Sequence, residues 1–243
     1  MVFYCTTNTG SVRDLNEDYC FASDAPVGGL KNLFLVADGM GGHNAGEYAS
    51  EFAVKLVLDE IRAHKITDPK EALRQAVGLA NRALFHRSRS DAAKAGMGTT
   101  FVAATILDGR LYVMNIGDSR LYVAYPGNMM QVTLDHSFVE EMVRNGIITR
   151  KEAALRKDRN KITRAVGVME QVEPDFFEVD LNANAKVLMC TDGLTNMVEN
   201  EKILAILNNG QNVKEQTEKL VAAAIANGGK DNITVILIDP YSV

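Results

Sequence analysis

Four apolar runs in this chain each carry an aspartate at one end, beside a glycine or an asparagine. They are Phe34-Leu35-Val36-Ala37-Asp38-Gly39, Val113-Met114-Asn115-Ile116-Gly117-Asp118, Val187-Leu188-Met189-Cys190-Thr191-Asp192-Gly193 and Asp231-Asn232-Ile233-Thr234-Val235. Runs this short and this apolar, bounded by turn residues, read as buried strands. Each carboxylate then stands where a strand meets a loop. If those ends converge, the acidic oxygens share one small site, where like charges repel strongly. A hard divalent cation with oxygen ligands relieves that repulsion. The pattern therefore predicts a metal-dependent enzyme whose metals are held by aspartate.

The rest of the chain supplies covers for such strands. Ala49, Phe52, Ala53, Leu56, Val57 and Ile61 recur at helical spacing, as do Leu73, Ala76, Val77, Ala80 and Leu84. Thr67-Asp68-Pro69 separates the two helices, with Pro69 as a helix-starting proline. Strands are expected over 101–107 and 111–116, joined by a compact hairpin at Asp108-Gly109-Arg110, then over 120–125 and 129–132 around Pro126-Gly127-Asn128. The stretch 137–155 reads as helical and charged. Strands come next near 176–179 and 186–190, helices near 201–207 and 213–226, and a last strand over 233–238. Strands grouped in this way favour an α+β fold over a doubly wound parallel sheet. No linker and no internal repeat divides the chain, so residues 1–243 are expected to form one domain.

Composition excludes several classes. A hydrophobic share of 47% is enough for a sizeable core without disulfides. The net charge is −5 and no Lys/Arg block is present, which argues against nucleic-acid binding. Cys5, Cys20 and Cys190 are odd in number and lack CxxC spacing, against a disulfide framework or a zinc site. There is no basic-then-apolar start and no apolar stretch near the roughly 20 residues of a membrane span, so the expected location is cytoplasmic.

The densest candidate site is Asp38-Gly39-Met40-Gly41-Gly42-His43, whose glycines let the backbone turn sharply and present carbonyls and amides to an ion or phosphate. Asp108-Gly109 is an internal control, since it merely links neighbouring strands. Taken singly, Asp118 reads as a turn start, Asp192 as a helix cap and Asp231 as a strand-start turn; their joint placement at strand ends points to metal ligands. Near the N-terminus, Arg13 with Glu17 and Asp18 offers a guanidinium able to grip phosphate by paired hydrogen bonds, or else a solvated charge run. His43 opens a helix, where it either donates a proton or hydrogen-bonds near the helix start. No Walker A loop, Gly-x-Ser-x-Gly elbow or His-Glu-x-x-His pair is present. Asp135-His136-Ser137 holds the residue types of a triad, but adjacent residues rarely aim at one another, and we read it as structural.

In their order these motifs resemble the type 2C metal-dependent protein phosphatases in their minimal bacterial form. The blocks are Arg13-x-x-Asn16-Glu17-Asp18, Val36-Ala37-Asp38-Gly39-Met40-Gly41-Gly42-His43, Gly98-Thr99-Thr100, Gly117-Asp118-Ser119-Arg120, Asp135-His136-Ser137, Ile162-Thr163-Arg164-Ala165-Val166-Gly167, Thr191-Asp192-Gly193-Leu194 and Gly228-Gly229-Lys230-Asp231-Asn232-Ile233-Thr234. Each block is weak alone, whereas the ordered set spans nearly the whole chain.

The resemblance implies a four-layer αββα sandwich of two antiparallel sheets flanked by helices, with metals at one end. It implies that Asp38 bridges two Mn²⁺ or Mg²⁺ ions, that the Gly39 carbonyl ligates the first, and that Asp192 and Asp231 ligate the second. Asp118 with Asp192 would hold a weaker third ion. Glu17 and Asp18 would act through metal-bound waters, and Arg13 would grip the substrate phosphate. The implied reaction is hydrolysis of phosphoserine and phosphothreonine in proteins by a water or hydroxide bridging two metals, opposing a bacterial Ser/Thr kinase, in a protein expected to be monomeric. A small-molecule phosphomonoesterase and a non-catalytic metal- or partner-binding relative remain the competing readings. The chain departs from eukaryotic relatives at Met40, where they carry the supposed proton-donating histidine. His43 lies three residues on, so either it or a metal-bound water would serve as the acid. The segment Arg156-Lys157-Asp158-Arg159-Asn160 lacks the His-Pro pair common before Ile162 in relatives.

Overall fold

The structure is a computed structural model and describes residues 1–42 and 45–242. Its eleven described strands form two antiparallel sheets. One sheet holds β1 (Val2–Asn8), β11 (Ile233–Asp239), β10 (Lys186–Cys190), β7 (Arg120–Tyr125) and β8 (Asn128–Gln131), in that order. The other holds β2 (Asp18–Ser23), β3 (Leu33–Met40), β5 (Phe101–Leu107), β6 (Arg110–Ile116) and β9 (Asp175–Asp180), with the short β4 (Gly98–Thr99) paired to the end of β3. Helices α1 (Ala45–Ala63) and α2 (Pro69–Ser90) cover the second sheet; α6 (Asn200–Leu207) and α7 (Val213–Ala226), with the one-turn α5 (Asp192–Thr195), cover the first. This is the expected αββα sandwich.

The unbroken apolar runs have a simple cause. A strand alternates its side chains between two faces, and both faces of each central strand are buried. On β3, Leu33, Leu35 and Ala37 face the α1–α2 layer, while Phe34 and Val36 face the opposite sheet. On β10, Val187 and Met189 join the inter-sheet core while Leu188 and Cys190 pack beneath α5–α7. Cys190 is thus a buried packing residue, as its neighbours imply.

Three features differ from the sequence reading. The edge strands β1 and β2 carry mixed, half-buried residues, so periodicity does not mark them. The helical stretch 137–155 is two short helices, α3 (Phe138–Arg144) and α4 (Arg150–Leu155), interrupted where Gly146 adopts φ 69°. Cys5 and Cys20, on facing edge strands of the two sheets, bring their Sγ atoms to 2.6 Å, a proximity their spacing does not reveal.

Asn32 shows how the β3–β5 pairing is extended beyond the strand. Its side chain accepts from the Ile106 N–H at 2.7 Å and donates to the Ile106 carbonyl at 2.8 Å, standing in for a backbone partner. Asn32→Ala leaves both buried groups unpaired, and we expect a loss of about 2–3 kcal/mol in urea denaturation of the intact chain. A loss within error of zero would show that Ile106 finds other partners.

Candidate metal and phosphate site

The ends of both sheets meet at one cavity of about 290 Å³. Its walls include Arg13, Glu17, Asp38, Gly39, Asp118, Asp192 and Asp231. Asp38 comes from the end of β3, Asp118 from the turn between β6 and β7, Asp192 from the end of β10 and Asp231 from the start of β11. Asp18, buried, sits opposite Asp38 in the β2–β3 pairing and completes the acidic group from below. The four strand-end aspartates singled out in the sequence are therefore brought together. His43 lies outside the described residues.

The segments that carry these carboxylates are held in place by groups that the sequence reading did not single out for that task. The Asp38 N–H donates to Thr100 Oγ1 at 2.9 Å, and its carbonyl accepts from the Thr100 N–H and from Thr99 Oγ1, both at 2.9 Å. Thr100 Oγ1 in turn lies 2.8 Å from Ser119 Oγ, next to Asp118, which ties the two aspartate-bearing segments together. Asn232 fixes the N-terminal loop. Its Oδ1 accepts from the Glu17 N–H at 2.8 Å, and its Nδ2 donates to the carbonyls of Thr9 at 2.9 Å and Leu15 at 2.8 Å. Thr191 Oγ1 donates to Asp18 Oδ2 at 2.9 Å.

Close approach explains two glycines. A Cβ on Gly39 would stand 2.0 Å from the Gly46 carbonyl oxygen, and one on Gly46 would stand 2.2 Å from Glu17 Oε1. The first turn of α1 is thereby drawn against the end of β3 and against Glu17, which a larger residue at either position would prevent.

The electrostatics are those of crowded acids. Burial first, then Asp18, Asp192 and Asp118, pushes the Asp38 carboxyl well above the ordinary range. Burial also raises Asp18 to about 7, Asp118 to about 8 and Asp192 to about 6, with neighbouring carboxylates adding to each. Glu17 Oε1 and Asp18 Oδ1 are buried without a hydrogen-bond partner. Orphaned acceptor oxygens beside mutually repelling carboxylates fit hard cations that take oxygen ligands. Among the described residues no three acidic, histidine or cysteine side chains already close on one point. Two of the carboxylates are engaged elsewhere: Arg13 Nη2 lies 2.9 Å from Asp231 Oδ2, and Asn196 Nδ2 donates to Asp192 Oδ2 at 2.8 Å.

Asp135-His136-Ser137 has the structural role expected of it. Arg120 clasps Asp135, with Nη2 at 2.6 Å from Oδ2. His136 Nδ1 accepts from the Gly117 N–H at 3.0 Å, leaving Nε2–H to face Asp175 at 3.1 Å. Ser137 caps α3 by accepting from the Glu140 N–H at 3.3 Å. The three side chains point to three different partners.

The raised pKa values fix the sign of a pH effect. These acids bind protons more tightly in the folded chain than in the unfolded one. The stability they contribute is therefore fully present below the ordinary aspartate range and is lost as pH rises through about 6 to 8. In chelator, the melting temperature should fall from pH 5 to pH 8; added Mn²⁺ or Mg²⁺ should raise it, more so at pH 8, with protons released on binding. Thermal unfolding and calorimetry in two buffers of unlike ionisation enthalpy test this. A metal-free melting temperature that rises over that range contradicts it. Separately, Asn232→Ala should free the loop bearing Arg13 and Glu17, which hydrogen exchange at residues 9–17 would register as lost protection.

Comparison with known proteins places the chain in a family. The family profile described as protein phosphatase 2C matches residues 10–227. The serine/threonine phosphatase stp of Listeria monocytogenes serovar 1/2a is 36% identical, over 96% of this chain and 93% of that protein. The crystal structure of the serine/threonine phosphatase Stp1 from Staphylococcus aureus superposes with a TM-score of 0.90 at 34% identity, covering 97% of this chain and 93% of that one. The catalytic domain of the phosphatase PstP, whose structure is described as a complex with 2 manganese ions, superposes with a TM-score of 0.85 at 33% identity over 97% and 96% of the two chains. With sequence and fold in agreement over nearly its full length, the chain belongs to the protein phosphatase 2C family.

Proposed function

We propose that this chain hydrolyses the phosphate monoesters of serine and threonine in proteins, using two divalent cations, Mn²⁺ or Mg²⁺, held in the carboxylate cavity. The observation that carries the reading is the convergence of Asp38, Asp118, Asp192 and Asp231 from both sheets on one 290 Å³ space. Family membership supports the reaction and its protein substrates. When bound, paired cations make water a nucleophile near neutral pH and neutralise charge on the phosphoryl group. The residues divide the remaining work. Asp38 would serve both ions, the Gly39 carbonyl the first, and Asp192 and Asp231 the second. Asp118 with Asp192 would hold a third, weaker ion. Asp18 and Glu17 would accept hydrogen bonds from waters around the ions.

Arg13 is the phosphate grip. Its side chain is about half exposed at the cavity rim, and its guanidinium already faces Asp231. A planar, permanently charged fork at that position orients a tetrahedral oxyanion and offsets charge as the ester bond breaks. Among the described residues the resting state of every cysteine argues against a thiol nucleophile: Cys190 is fully buried with its thiol pushed up to about 12, and Cys5 and Cys20 engage each other. The physiological counterpart of such an activity is a protein Ser/Thr kinase. No helix of the described residues is long and apolar enough to cross a membrane, which is compatible with the cytoplasmic location proposed for it.

Turnover of phosphothreonine peptides, free phosphoserine and nucleotides, in Mn²⁺, Mg²⁺ and chelator, tests the proposal. Peptides should be preferred, and chelator should abolish turnover. Asp38→Asn and Asp192→Ala should each lose about a thousandfold or more in rate, the scale of a cation's contribution to charge stabilisation. An Asp38→Asn protein keeping more than about a tenth of wild-type turnover would remove Asp38 from the chemistry. Preference for the small molecules would overturn the protein-substrate assignment, and tight Mn²⁺ binding without turnover would make the chain a binding module.

A further inference from the structure

A second cavity, of about 240 Å³, opens directly beside the catalytic one and shares Met40 and Ile162 with it as a dividing wall. Its lining changes character at that wall. On the catalytic side stand carboxylates; on this side Ala165, Val168, Met169 and Val172 form an apolar patch, rimmed by Thr163, Arg164, Gln171 and Glu173. Val168 is 43% and Met169 66% exposed, although both are large and apolar. Neither helps to close a core.

The segment that carries them is nonetheless held rigidly. Asn81, buried on α2, accepts from the Gly167 N–H at 2.7 Å and donates to the carbonyls of Met169 and Glu170, both at 3.0 Å. Val166 exchanges backbone hydrogen bonds with Thr99, at 2.9 and 3.0 Å. Gly167 adopts φ 89° against α2, where a Cβ would stand 2.7 Å from Leu84 Cβ. Beneath the wall, Gly98 has no side chain. A Cβ there would meet Met40 Cε at 2.8 Å and Val168 Cγ2 at 2.7 Å, so the two apolar side chains close over it. Exposed apolar groups on a backbone fixed by three hydrogen bonds to the buried Asn81 side chain make a preformed surface.

We propose that this groove is a peptide subsite that takes an apolar side chain flanking the phosphorylated residue of the substrate. The inference rests on the phosphoprotein-phosphatase reading above and adds a sequence preference to it. Its occupant is set by continuity. A polypeptide whose phosphate lies against Arg13 and Asp38 has to leave the catalytic cavity across its walls, and Met40 and Ile162 form the wall this groove shares. Residues of an extended segment advance roughly 3.3 Å each, so a neighbour one to three positions away is within reach of the groove. Cations bound to carboxylates read only the phosphate; the apolar groove reads the chain beside it. Covering Val168 and Met169 removes apolar surface from water, which favours a leucine- or phenylalanine-sized neighbour over a polar one.

Phosphothreonine peptides that differ only in the flanking residues, leucine or phenylalanine against serine or aspartate, test the subsite. p-Nitrophenyl phosphate, too small to cross the wall, reports the catalytic cavity alone. For the wild-type chain, kcat/KM should be higher by about tenfold for the apolar peptides, mostly through KM. The Val168→Ser/Met169→Ser double variant should bring the ratio of apolar-peptide to polar-peptide kcat/KM close to unity while leaving kcat/KM for p-nitrophenyl phosphate unchanged. Met169→Leu should retain it. Wild-type indifference to the flanking residue overturns the subsite, as does a double variant that keeps the preference. A dimer in light scattering that the double variant dissolves would assign the groove to a second copy of this chain and likewise overturn it. Failure to hydrolyse any ester, p-nitrophenyl phosphate included, is a different result: it overturns the phosphatase reading, and the subsite with it.

Discussion

Repulsion among buried carboxylates is the constraint on which the rest of this structure depends. Asp38 and its neighbours are gathered from both sheets into one partly enclosed space, where burial first and neighbouring carboxylates second raise their proton affinity. An arrangement of this kind opposes folding unless protons or cations occupy it. The sandwich beneath must therefore be stable enough to hold the acids in place. Its three apolar layers, one between the sheets and one under each helical cover, meet that requirement. Strands buried on both faces supply the rigidity, and the acids sit where those strands run out.

Position alone does not set the direction of a carboxylate. Asp38 is bound through its own backbone to Thr99 and Thr100, and Thr100 reaches Ser119. The chain thus links the end of β3 to the β6–β7 turn by side-chain hydroxyls that are themselves buried. Asn232 does the same for the N-terminal loop, over more than two hundred residues of sequence. Removing such a group leaves several buried backbone groups unpaired at once, so its effect on the site exceeds that of a single hydrogen bond.

These long-range contacts also mark where sequence reading ends. The central strands are legible because burial on both faces leaves an apolar run, and the helices because one face repeats at helical spacing. The edge strands β1 and β2 lack that signature, since each pairs with a neighbour along one edge only, stays mostly half-buried and mixes Tyr and Cys with polar residues. The split between α3 and α4 is hidden by a charged stretch with helical character; its local signals are Gly146, with its positive φ, and the Thr149–Glu152 capping box that restarts the helix. The acids of the site are visible as strand-end aspartates. Thr100, Ser119 and Asn81 are not visible as positioning groups, because nothing nearby in sequence identifies their partners.

Two Asp-Gly pairs in this chain show how context decides between a turn and a site. Asp108 and Gly109 adopt φ 51° and 78°, both left-handed, and close a two-residue hairpin with Leu107 opposite Arg110. That geometry matches a tight turn whose twist suits the flanking strands. Asp38 and Gly39 instead continue β3: Gly39 pairs with Thr99, and the missing side chain admits Gly46 from α1. The glycine serves backbone freedom in the first case and close approach in the second. Asp108 consequently faces solvent at a loop, whereas Asp38 is carried to the floor of the acidic cavity with its backbone fully engaged. The chain immediately after each pair makes the difference: a strand at hairpin distance in one, and in the other a glycine-rich connection leading to a long helix that packs back onto the same strand.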